Sequence, residues 1–356
     1  MKKPAKIVSA PGRICLFGEH SDYLGLPVMT MAINRRMTIH AFRRRDRKFR
    51  VLMPDIREED IFTPSAKVSY HKERDYLRAG VNVLKRRGYR FPDGYDFLIR
   101  SDIPINSGTS SSSAMVVAWL KMLLSFHKDL IQFDPIKIAW LAYETEVLEF
   151  KEAGGRMDHF AITFGGTMFH ENHKTVDIRF LRPLEGMILG DSLEKKETVR
   201  DLKRNARDVR EGFRMMKKRI KHFHPETVLL KEVLSKFKPT TEPLRKAIGT
   251  LRNRDICRTA LKAMVFSPIF QRKIGVLMNE HHLILRRDLK ISTQKIEAMI
   301  EASLNAGAIG AKINGSGLGG TMIAYAPGKE KKVVAAIEKA GGEAYAVHPD
   351  LGVLCE

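Results

Sequence analysis

The hydrophobic and polar positions in the first part of the chain alternate between a period typical of strands and one typical of helices. Residues 5–9 and 28–33 are short apolar runs with strand character. Residues 36–43 and 49–53 predict a hairpin pair joined by a basic turn, and residues 73–87 predict a helix. The N-terminal part therefore mixes strands with helices.

A loop of small residues, Asp102 to Ala114, stands directly before a long apolar run, Met115 to Leu124. We call it the serine loop. Residues 95–100 predict a strand that leads into it, so the order is strand, loop and helix. The first turn of a helix exposes unpaired N–H groups and the positive end of the dipole, so a phosphate can bind there if small residues leave room. Serines also cap helices well, and they could serve here only to begin a buried helix.

A second helix is predicted over residues 135–150, with Asp134 as its N-cap. Glu146 lies on the apolar stripe of this helix, where a carboxylate is either partnered in the interior or holds a cation. Glu144 has similar neighbours, and the spacing does not choose between the two. A glycine-bounded turn that carries one acid, Asp158, follows.

Helical patterns dominate after about residue 185, where we place a domain boundary. The predicted domains are residues 1–185 and 186–356. The predicted helices of the second domain span residues 197–221, 226–236, 242–263, 268–286 and 292–304. A strand at residues 187–190 is predicted before these helices. The last part of the domain returns to mixed structure, with strands at residues 311–313, 321–325 and 343–347, a helix at 329–339, and a glycine-rich turn at 314–320. That turn indicates close backbone approach, although a flexible hairpin would have the same composition.

Composition narrows the class of protein. The 356 residues are 44% hydrophobic, but no run of about 18 uncharged apolar residues predicts a membrane span, and the N-terminus lacks a signal-peptide pattern. The three cysteines, Cys15, Cys257 and Cys355, are scattered without pairing. We therefore expect a cytoplasmic protein without a metal–thiolate site.

Because the formal charge is +21, nucleic-acid binding has to be considered as a function. The basic residues concentrate in residues 43–48 and 195–221, which lack interleaved aromatic residues, and acidic residues interrupt the second segment. We interpret both as solvated faces rather than as a nucleic-acid surface. A basic surface would also attract anionic substrates such as nucleotides.

Three stretches, in this order, resemble the motifs of the GHMP kinase superfamily. We call residues 11–23, 104–114 and 310–320 the first, second and third motifs. The resemblance implies a two-domain α+β fold, with an N-terminal domain like domain 2 of ribosomal protein S5 and a ferredoxin-like C-terminal domain with helical insertions. In such a fold the last strand is a candidate to return to the N-terminal domain.

Within the superfamily, the first motif resembles that of galactokinases most. Gly18-Glu-His-Ser-Asp-Tyr is close to their Gly-Glu-His-Thr-Asp-Tyr, and Gly155-Arg-Met-Asp-His is similar to their Gly-Ile-Met-Asp-Gln. The resemblance implies an ATP- and Mg²⁺-dependent kinase that transfers the γ-phosphate to a hydroxyl, most simply the anomeric one, of a monosaccharide. No membrane and no nucleic acid are implied as partners.

The resemblance also assigns roles to residues. Arg13 and Asp158 would be the catalytic pair. Acceptor hydroxyls would bind Glu19, His20, Asp22 and Gly155. ATP would lie on the serine loop, at Ser107, Gly108, Thr109, Ser110, Ser111, Ser112 and Ser113. The glycines that let the third motif approach this loop would be Gly315, Gly317, Gly319 and Gly320. Mg²⁺ would be held by Glu146 and a serine hydroxyl, for which we name Ser111, although Ser110 and Ser112 are alternatives.

Plain structural roles compete with these assignments. The polar residues of the first motif could form a buried cluster, and Arg13 with Asp158 could be only an ion pair. His159, His170 and His173 match no zinc spacing, and we treat them as ordinary polar residues.

Departures from the galactokinase pattern leave the acceptor open. Asn106 and Thr109 replace a glycine and a leucine of the second motif, and Leu24-Gly25-Leu26 stands where galactokinases carry Asn-Gly-Gly. A cyclitol, another polyol that is not galactose, or a mevalonate-type alcohol is therefore the alternative acceptor. A sensor that binds sugar or nucleotide without turnover is the alternative outside the enzymes.

Overall fold

The computed structural model describes residues 3–64, 67–104, 108–127, 130–172, 176–194 and 198–356. The strands are β1 (Lys6–Phe17), β2 (Val28–Arg43), β3 (Phe49–Met53), β4 (Glu58–Phe62), β5 (Tyr95–Ser101), β6 (Thr167–Asn172), β7 (Val176–Leu181), β8 (Met187–Asp191), β9 (Gly310–Ile313), β10 (Thr321–Tyr325), β11 (Glu343–Val347) and β12 (Leu354–Cys355). The α-helices are α1 (Tyr76–Arg86), α2 (Ser111–Ser125), α3 (Pro135–Tyr143), α4 (Met157–Phe164), α5 (Thr198–Lys217), α6 (Leu230–Lys236), α7 (Glu242–Phe266), α8 (Phe270–Arg287), α9 (Gln294–Asn305) and α10 (Glu330–Lys339). The mixture confirms the predicted α+β class.

An eight-stranded sheet forms the N-terminal part, with the order β12-β1-β2-β5-β3-β4 and the hairpin β6–β7 attached to β2. The predicted hairpin of residues 36–43 with 49–53 is wrong. β5 lies between these strands, antiparallel to β2 and parallel to β3. Alternate residues of β5, including Phe97 and Ile99, are buried, so this strand gains more from a central place than from an edge.

The helix after the serine loop, α2, is the centre of this domain because it is buried on nearly every side. Trp119 packs edge-on against Phe97, with ring centroids 4.7 Å apart, and its indole N–H donates to the carbonyl of Leu77. Burying each side chain of this size contributes about 1.5–3 kcal/mol. The start of α2 is therefore held in a fixed position by the core behind it.

The C-terminal part has a four-stranded antiparallel sheet, β11-β8-β10-β9, with α9 and α10 packed on it. The five helices predicted for this part are all present, within a few residues of their predicted bounds. We propose that the domain boundary lies near residue 185, because β8 is the first strand of the smaller sheet. No helix in the described ranges is both long and apolar enough to cross a membrane.

The chain end ties the two parts together. The predicted strand at residues 343–347 stays in the smaller sheet beside β8, whereas the unpredicted two-residue strand β12 pairs with β1. Arg36 holds this tail, because its guanidinium donates to Asp350 at 2.7 Å and to the carbonyl of Gly352 at 2.8 Å. The first and last strands are thus neighbours.

Candidate active site

A cavity of about 440 Å³ lies where the three sequence motifs and the mid-chain turn meet. Arg13 and Asp22 enter it from the first motif, Ser112 from the start of α2, Asp158 from the start of α4, and Gly315 from the third motif. Segments that are distant in sequence therefore share one site, as the motif order predicts.

The start of α2 faces this cavity. Ser110 precedes the helix in the left-handed conformation (φ 60°), and its hydroxyl does not cap the helix but donates to Asp158 at 2.6 Å. Ser111, Ser112 and Ser113 line the cavity beside it. The serines are thus arranged around an accessible helix N-terminus rather than used up in capping it.

Two residues of the predicted nucleotide loop differ from the others. Thr109 is buried, and its hydroxyl donates to the carbonyl of Pro104 at 3.3 Å. Ser107 lies outside the described residues. Gly108 is in the left-handed region (φ 91°), and its carbonyl accepts from Arg13 at 2.6 Å.

Arg13 and Asp158 form an ion pair at the centre of the cavity, with 2.7 Å between Nε and Oδ1. The Arg13 side chain is 5% exposed and that of Asp158 is 27% exposed. Burial alone would raise the pKa of Asp158, but the charge and hydrogen bond of Arg13, with the hydroxyl of Ser110, hold this pKa below its usual value. Asp158 is therefore ionised at neutral pH, and it lines the cavity with both of its oxygens hydrogen-bonded, to Arg13 and to Ser110.

Glu146 reaches the same cavity because the predicted helix changes its winding. The α-helix ends at Tyr143, and residues 144–148 form a π-turn, a feature often found at functional sites. Within this turn Glu146 is buried, whereas Glu144 points outward and pairs with Arg87. The structure thus decides between two carboxylates that the spacing did not separate.

Both oxygens of Glu146 have partners. Oε1 accepts from the hydroxyl of Ser112 at 2.7 Å, and Oε2 lies 2.8 Å from Nε2 of His159. The serine beside Glu146 is therefore Ser112, one residue beyond the predicted Ser111, which lines the cavity without this contact. His159, which the sequence treated as an ordinary polar residue, belongs to this group.

This pair of oxygen ligands fits Mg²⁺. Across the described ranges, no group of three or more His, Cys, Asp or Glu residues could hold a metal by itself. Mg²⁺ usually binds through one or two carboxylates together with substrate phosphates, and it prefers hard oxygen ligands. A carboxylate and a hydroxyl 2.7 Å apart, beside a helix N-terminus open to phosphate, match that requirement.

Asp22 defines the other end of the cavity. Its Oδ2 accepts weakly from the backbone N–H of Met157 at 3.4 Å, and a Cβ on Gly155 would lie only 2.0 Å from the same oxygen. Burial, with repulsion from the charge of Asp158, raises the pKa of Asp22 to about 6. His20 stands beside it, hydrogen-bonded to the hydroxyl of Tyr23 at 2.9 Å.

Glu19 is placed differently from the other predicted acceptor ligands. Its carboxylate is fully buried, ion-paired to the fully buried ammonium of Lys312 and 3.6 Å from Nδ1 of His281. Burial raises the pKa of Glu19, although Lys312 opposes this shift. Lys312 also donates to the carbonyl of Cys15 at 3.0 Å. This side chain links the first motif to the third.

The third motif supports the serine loop. A Cβ on Gly315 would lie 2.7 Å from the carbonyl oxygen of Gly108, and a Cβ on Gly317 would lie 2.6 Å from that of Ile291. Only glycine allows both approaches. Asn314 accepts from the backbone N–H of Cys15 at 2.9 Å and donates to the carbonyl of Gly108 at 3.1 Å. The remaining predicted glycines of this motif also have left-handed φ values: Gly319 (102°) and Gly320 (74°).

Sequence reasoning missed Lys312, Asn314 and His159. Asn314 and Lys312 stand within the third motif, so the motif itself was a signal, but nothing in the spacing indicates which partner they meet. His159 follows Asp158 directly, and its adjacency to a predicted acid was the available signal.

Comparison with family models finds matches along both parts of the chain. Residues 75–166 match the GHMP kinases N terminal domain, and residues 270–343 match the GHMP kinases C terminal model. Residues 1–43 match the galactokinase galactose-binding signature.

Similar sequences include two kinds of kinase. A mevalonate kinase of Pyrococcus furiosus is 29% identical over 346 residues, which cover 94% of this chain and 93% of the relative. A galactokinase of Clostridium perfringens is 27% identical over 336 residues, which cover 91% of this chain and 86% of the relative.

Solved structures share the fold over nearly the whole length. The galactokinase of Lactococcus lactis, complexed with galactose, has a TM-score of 0.83 at 23% identity and covers 98% of this chain and 94% of its own. The mevalonate kinase of Methanococcus jannaschii has a TM-score of 0.73 at 20% identity and covers 97% of this chain and 98% of its own. At these identities the likeness shows the fold alone.

Proposed function

Because this chain is a member of the GHMP kinase superfamily, and so an ATP-dependent small-molecule kinase acting on a hydroxyl group, we propose that its acceptor is a monosaccharide phosphorylated at the anomeric hydroxyl. The observation that carries this proposal is the position of two carboxylates, Asp158 and Asp22, at one cavity with the open start of α2.

The phosphates of ATP would lie against the start of α2. The N–H groups of the first helical turn and the hydroxyls of Ser111 and Ser113 are candidate donors, whereas the hydroxyl of Ser112 donates to Glu146. Phosphoryl transfer depends mainly on positioning and on stabilising the charge of the transferring group. A helix start fixed by a packed core, with a glycine turn of the third motif behind it, supplies such a fixed position.

Glu146 and Ser112 would hold Mg²⁺. When bound, the ion would offset the negative charge of the phosphates during transfer. The contribution of the protein is to keep a carboxylate and a hydroxyl side by side at that place.

Asp158 would orient the acceptor hydroxyl and accept its proton as the new oxygen–phosphorus bond forms and ADP leaves. Its lowered pKa makes it a weak base toward a neutral alcohol, so we place proton transfer late, when the attacking oxygen has already lost electron density. Arg13 keeps Asp158 ionised and in position, and its charge stands beside the transferring group.

Asp22 would bind the other hydroxyls of the acceptor, whereas both ring nitrogens of His20 already have protein partners, the hydroxyl of Tyr23 and the carbonyl of Ser316. An ionised carboxylate accepts from two hydroxyl groups, which suits a polyol better than an acceptor with a single alcohol. The match of residues 1–43 to the galactose-binding signature supports the same class of acceptor. Glu19 contributes through its ion pair with Lys312 rather than through direct contact, because its carboxylate is buried.

A mevalonate-type alcohol is the second candidate acceptor. It is favoured by the sequence similarity to mevalonate kinases over 94% of the chain. The two candidates differ in what they offer to Asp22, since a monosaccharide has several further hydroxyls, whereas mevalonate has one further hydroxyl and a carboxylate of like charge.

The test is an ADP-release assay of the purified protein with ATP, Mg²⁺ and a panel of acceptors. The panel contains hexoses, uronic acids, amino sugars, inositols and mevalonate, and phosphorus NMR identifies the position of the phosphate in the product. We expect ADP release with a monosaccharide and an anomeric phosphate. Release with mevalonate alone would favour the second candidate, and binding of a sugar without ADP release would favour a sensor.

A further inference from the structure

His159 stands behind the carboxylate that the proposed function gives to Mg²⁺. We propose that His159 is a positioning residue, which holds one oxygen of Glu146 so that the other faces the cation beside Ser112. This inference rests on the proposed function, since it concerns how the cation site is built.

The two carboxylate oxygens of Glu146 contact different residues. His159 contacts Oε2 at 2.8 Å, and Ser112 contacts Oε1 at 2.7 Å. The His159 side chain is 2% exposed and that of Glu146 is 10% exposed. Both residues line the cavity, and the imidazole is the more deeply buried of the two side chains.

Packing alone does not explain why a histidine is buried at position 159. To donate to a carboxylate, Nε2 must carry the proton, which leaves Nδ1 as an acceptor. Among the described residues, buried Nδ1 has no hydrogen-bond partner. A buried acceptor without a partner costs about 1–3 kcal/mol, so the residue is better explained by its contact with Glu146 than by stability.

The backbone under Glu146 makes such a support necessary. The residue lies within the π-turn of residues 144–148, where the regular helical hydrogen bonds are interrupted. Mg²⁺ requires near-octahedral ligands, so a carboxylate that rotates and offers both oxygens would be a worse ligand. Outer partners of metal ligands commonly fix ligand orientation, and their loss typically reduces metal affinity by about 10- to 100-fold.

The chain offers a matched control. Buried His282 and partly exposed Glu297 form another histidine–glutamate pair, with 3.0 Å between Nε2 and Oε1, between α8 and α9 and outside the cavity lining. Replacing His282 tests what the loss of such a pair does to the fold without touching the cation site.

The experiment compares wild type with His159→Leu, His159→Gln and His282→Leu. The affinity for Mn²⁺ in the presence of saturating ADP is measured from the loss of the free-ion EPR signal, with ADP and Mn²⁺ without protein as the blank. The apparent KM for Mg²⁺ and kcat are measured at saturating ATP and acceptor. Circular dichroism and thermal melting report folding.

We expect His159→Leu to weaken Mn²⁺ affinity and to raise the KM for Mg²⁺ by about 10- to 100-fold, with kcat largely recovered at high Mg²⁺. His159→Gln, which keeps an N–H donor, should recover most of the affinity, and His282→Leu should lower the melting temperature without changing either metal constant. If His159→Leu does not fold, His159→Asn, whose amide is too short to reach Glu146, takes its place.

Equal Mn²⁺ affinity in wild type and a folded His159→Leu protein would overturn the inference and leave the proposed function intact. A loss in His159→Gln as large as in the leucine variant would also overturn it. A wild-type protein that adds nothing to the Mn²⁺ binding of ADP alone would instead contradict the proposed cation site itself.

Discussion

The proposed phosphate end of the cavity, at the start of α2, and its proposed acceptor end, at Asp22, are built in different ways. At the phosphate end, donors come from a helix start and glycine turns, and the charged side chains Arg13 and Asp158 neutralise each other at 2.7 Å. At the acceptor end, Asp22 has a pKa raised to about 6 and lies against the backbone of Gly155. The start of α2 is thus fixed by the packing of the fold, whereas the Asp22 carboxylate lies where burial and the charge of Asp158 oppose its ionisation.

This difference indicates which part of the cavity selects the acceptor. Every member of a kinase family must bind the same phosphates, so backbone groups that no substitution removes suit that end. The acceptor differs among relatives, and a few side chains on loops decide it. A raised pKa at Asp22 is what we expect of a carboxylate held for a ligand rather than for the fold.

The largest effect should come from removing the carboxylate of the proposed catalytic pair, Asp158. Asp158→Asn keeps the shape of the side chain but not its charge, so we expect kcat to fall by about 10²- to 10⁴-fold while ATP still binds. A single-turnover assay measures the chemical step, and ADP binding by calorimetry serves as the control. An unchanged single-turnover rate would remove Asp158 from the chemistry.

A smaller effect, confined to the acceptor, should follow from Gly155→Val. Its Cβ would displace the Asp22 carboxylate, which lies 2.0 Å from that position. Losing one positioned hydrogen bond of about 1.4 kcal/mol corresponds to an acceptor KM raised about tenfold. The KM for ATP is the internal control. A parallel rise in both KM values would mean that the two ends are not independent.

The acceptor KM should also depend on pH through Asp22. With a pKa of about 6, the ionised fraction rises from about one-tenth at pH 5 to about nine-tenths at pH 7. If the carboxylate form accepts from hydroxyls, the acceptor KM should fall by about ninefold over this range, and Asp22→Asn should lack the step. Steady-state kinetics at saturating ATP from pH 5 to 8 measures it.

A rise in pH should improve acceptor binding through Asp22, but the same raised pKa means that it should lower the stability of the folded protein. Because the folded pKa of Asp22 is raised above 3.8, its contribution to stability is present at low pH and is lost as pH rises through about 6. Asp22→Asn should therefore melt at a higher temperature than wild type at pH 7, and the difference should shrink below pH 4. A variant that melts lower at pH 7 would contradict a raised pKa.

The smallest effect on acceptor KM should come from Glu19→Gln, in spite of its place in the first motif. Glu19 lines the cavity, but its carboxylate is fully buried and paired with Lys312, so the acceptor KM should change by less than about threefold. The fold should suffer instead, by roughly 3–5 kcal/mol, because a buried ammonium loses its partner. Glu19→Gln with Lys312→Met, which removes both charges, should melt above the single variant in thermal denaturation. A large rise in acceptor KM at an unchanged melting temperature would return Glu19 to the acceptor site.

Sequence reasoning succeeded where a local pattern determines the structure. The N-cap at Asp134 was predicted and accepts from Lys137 as a cap should, and the helix after the serine loop lies where its apolar run placed it. The three motifs meet at one cavity, as the family resemblance implies.

The failures have non-local causes. Nothing near residues 36–53 shows that β5 will separate the two predicted hairpin strands. No local pattern shows that a π-turn at residues 144–148 will bury Glu146 rather than Glu144. Nor does one show that Ser112, and not the predicted Ser111, will contact Glu146. The partner of Glu19 is almost three hundred residues away in sequence, and no spacing rule predicts such a pair.

The most direct test of this account is a crystal structure of the protein with Mg²⁺, a non-hydrolysable ATP analogue and the acceptor that supports ADP release. We expect the β- and γ-phosphates on the N–H groups at the start of α2, one acceptor hydroxyl between the γ-phosphate and Asp158, and other hydroxyls on Asp22. Phosphates bound away from that helix start, or an acceptor on the side of the γ-phosphate remote from Asp158, would contradict it.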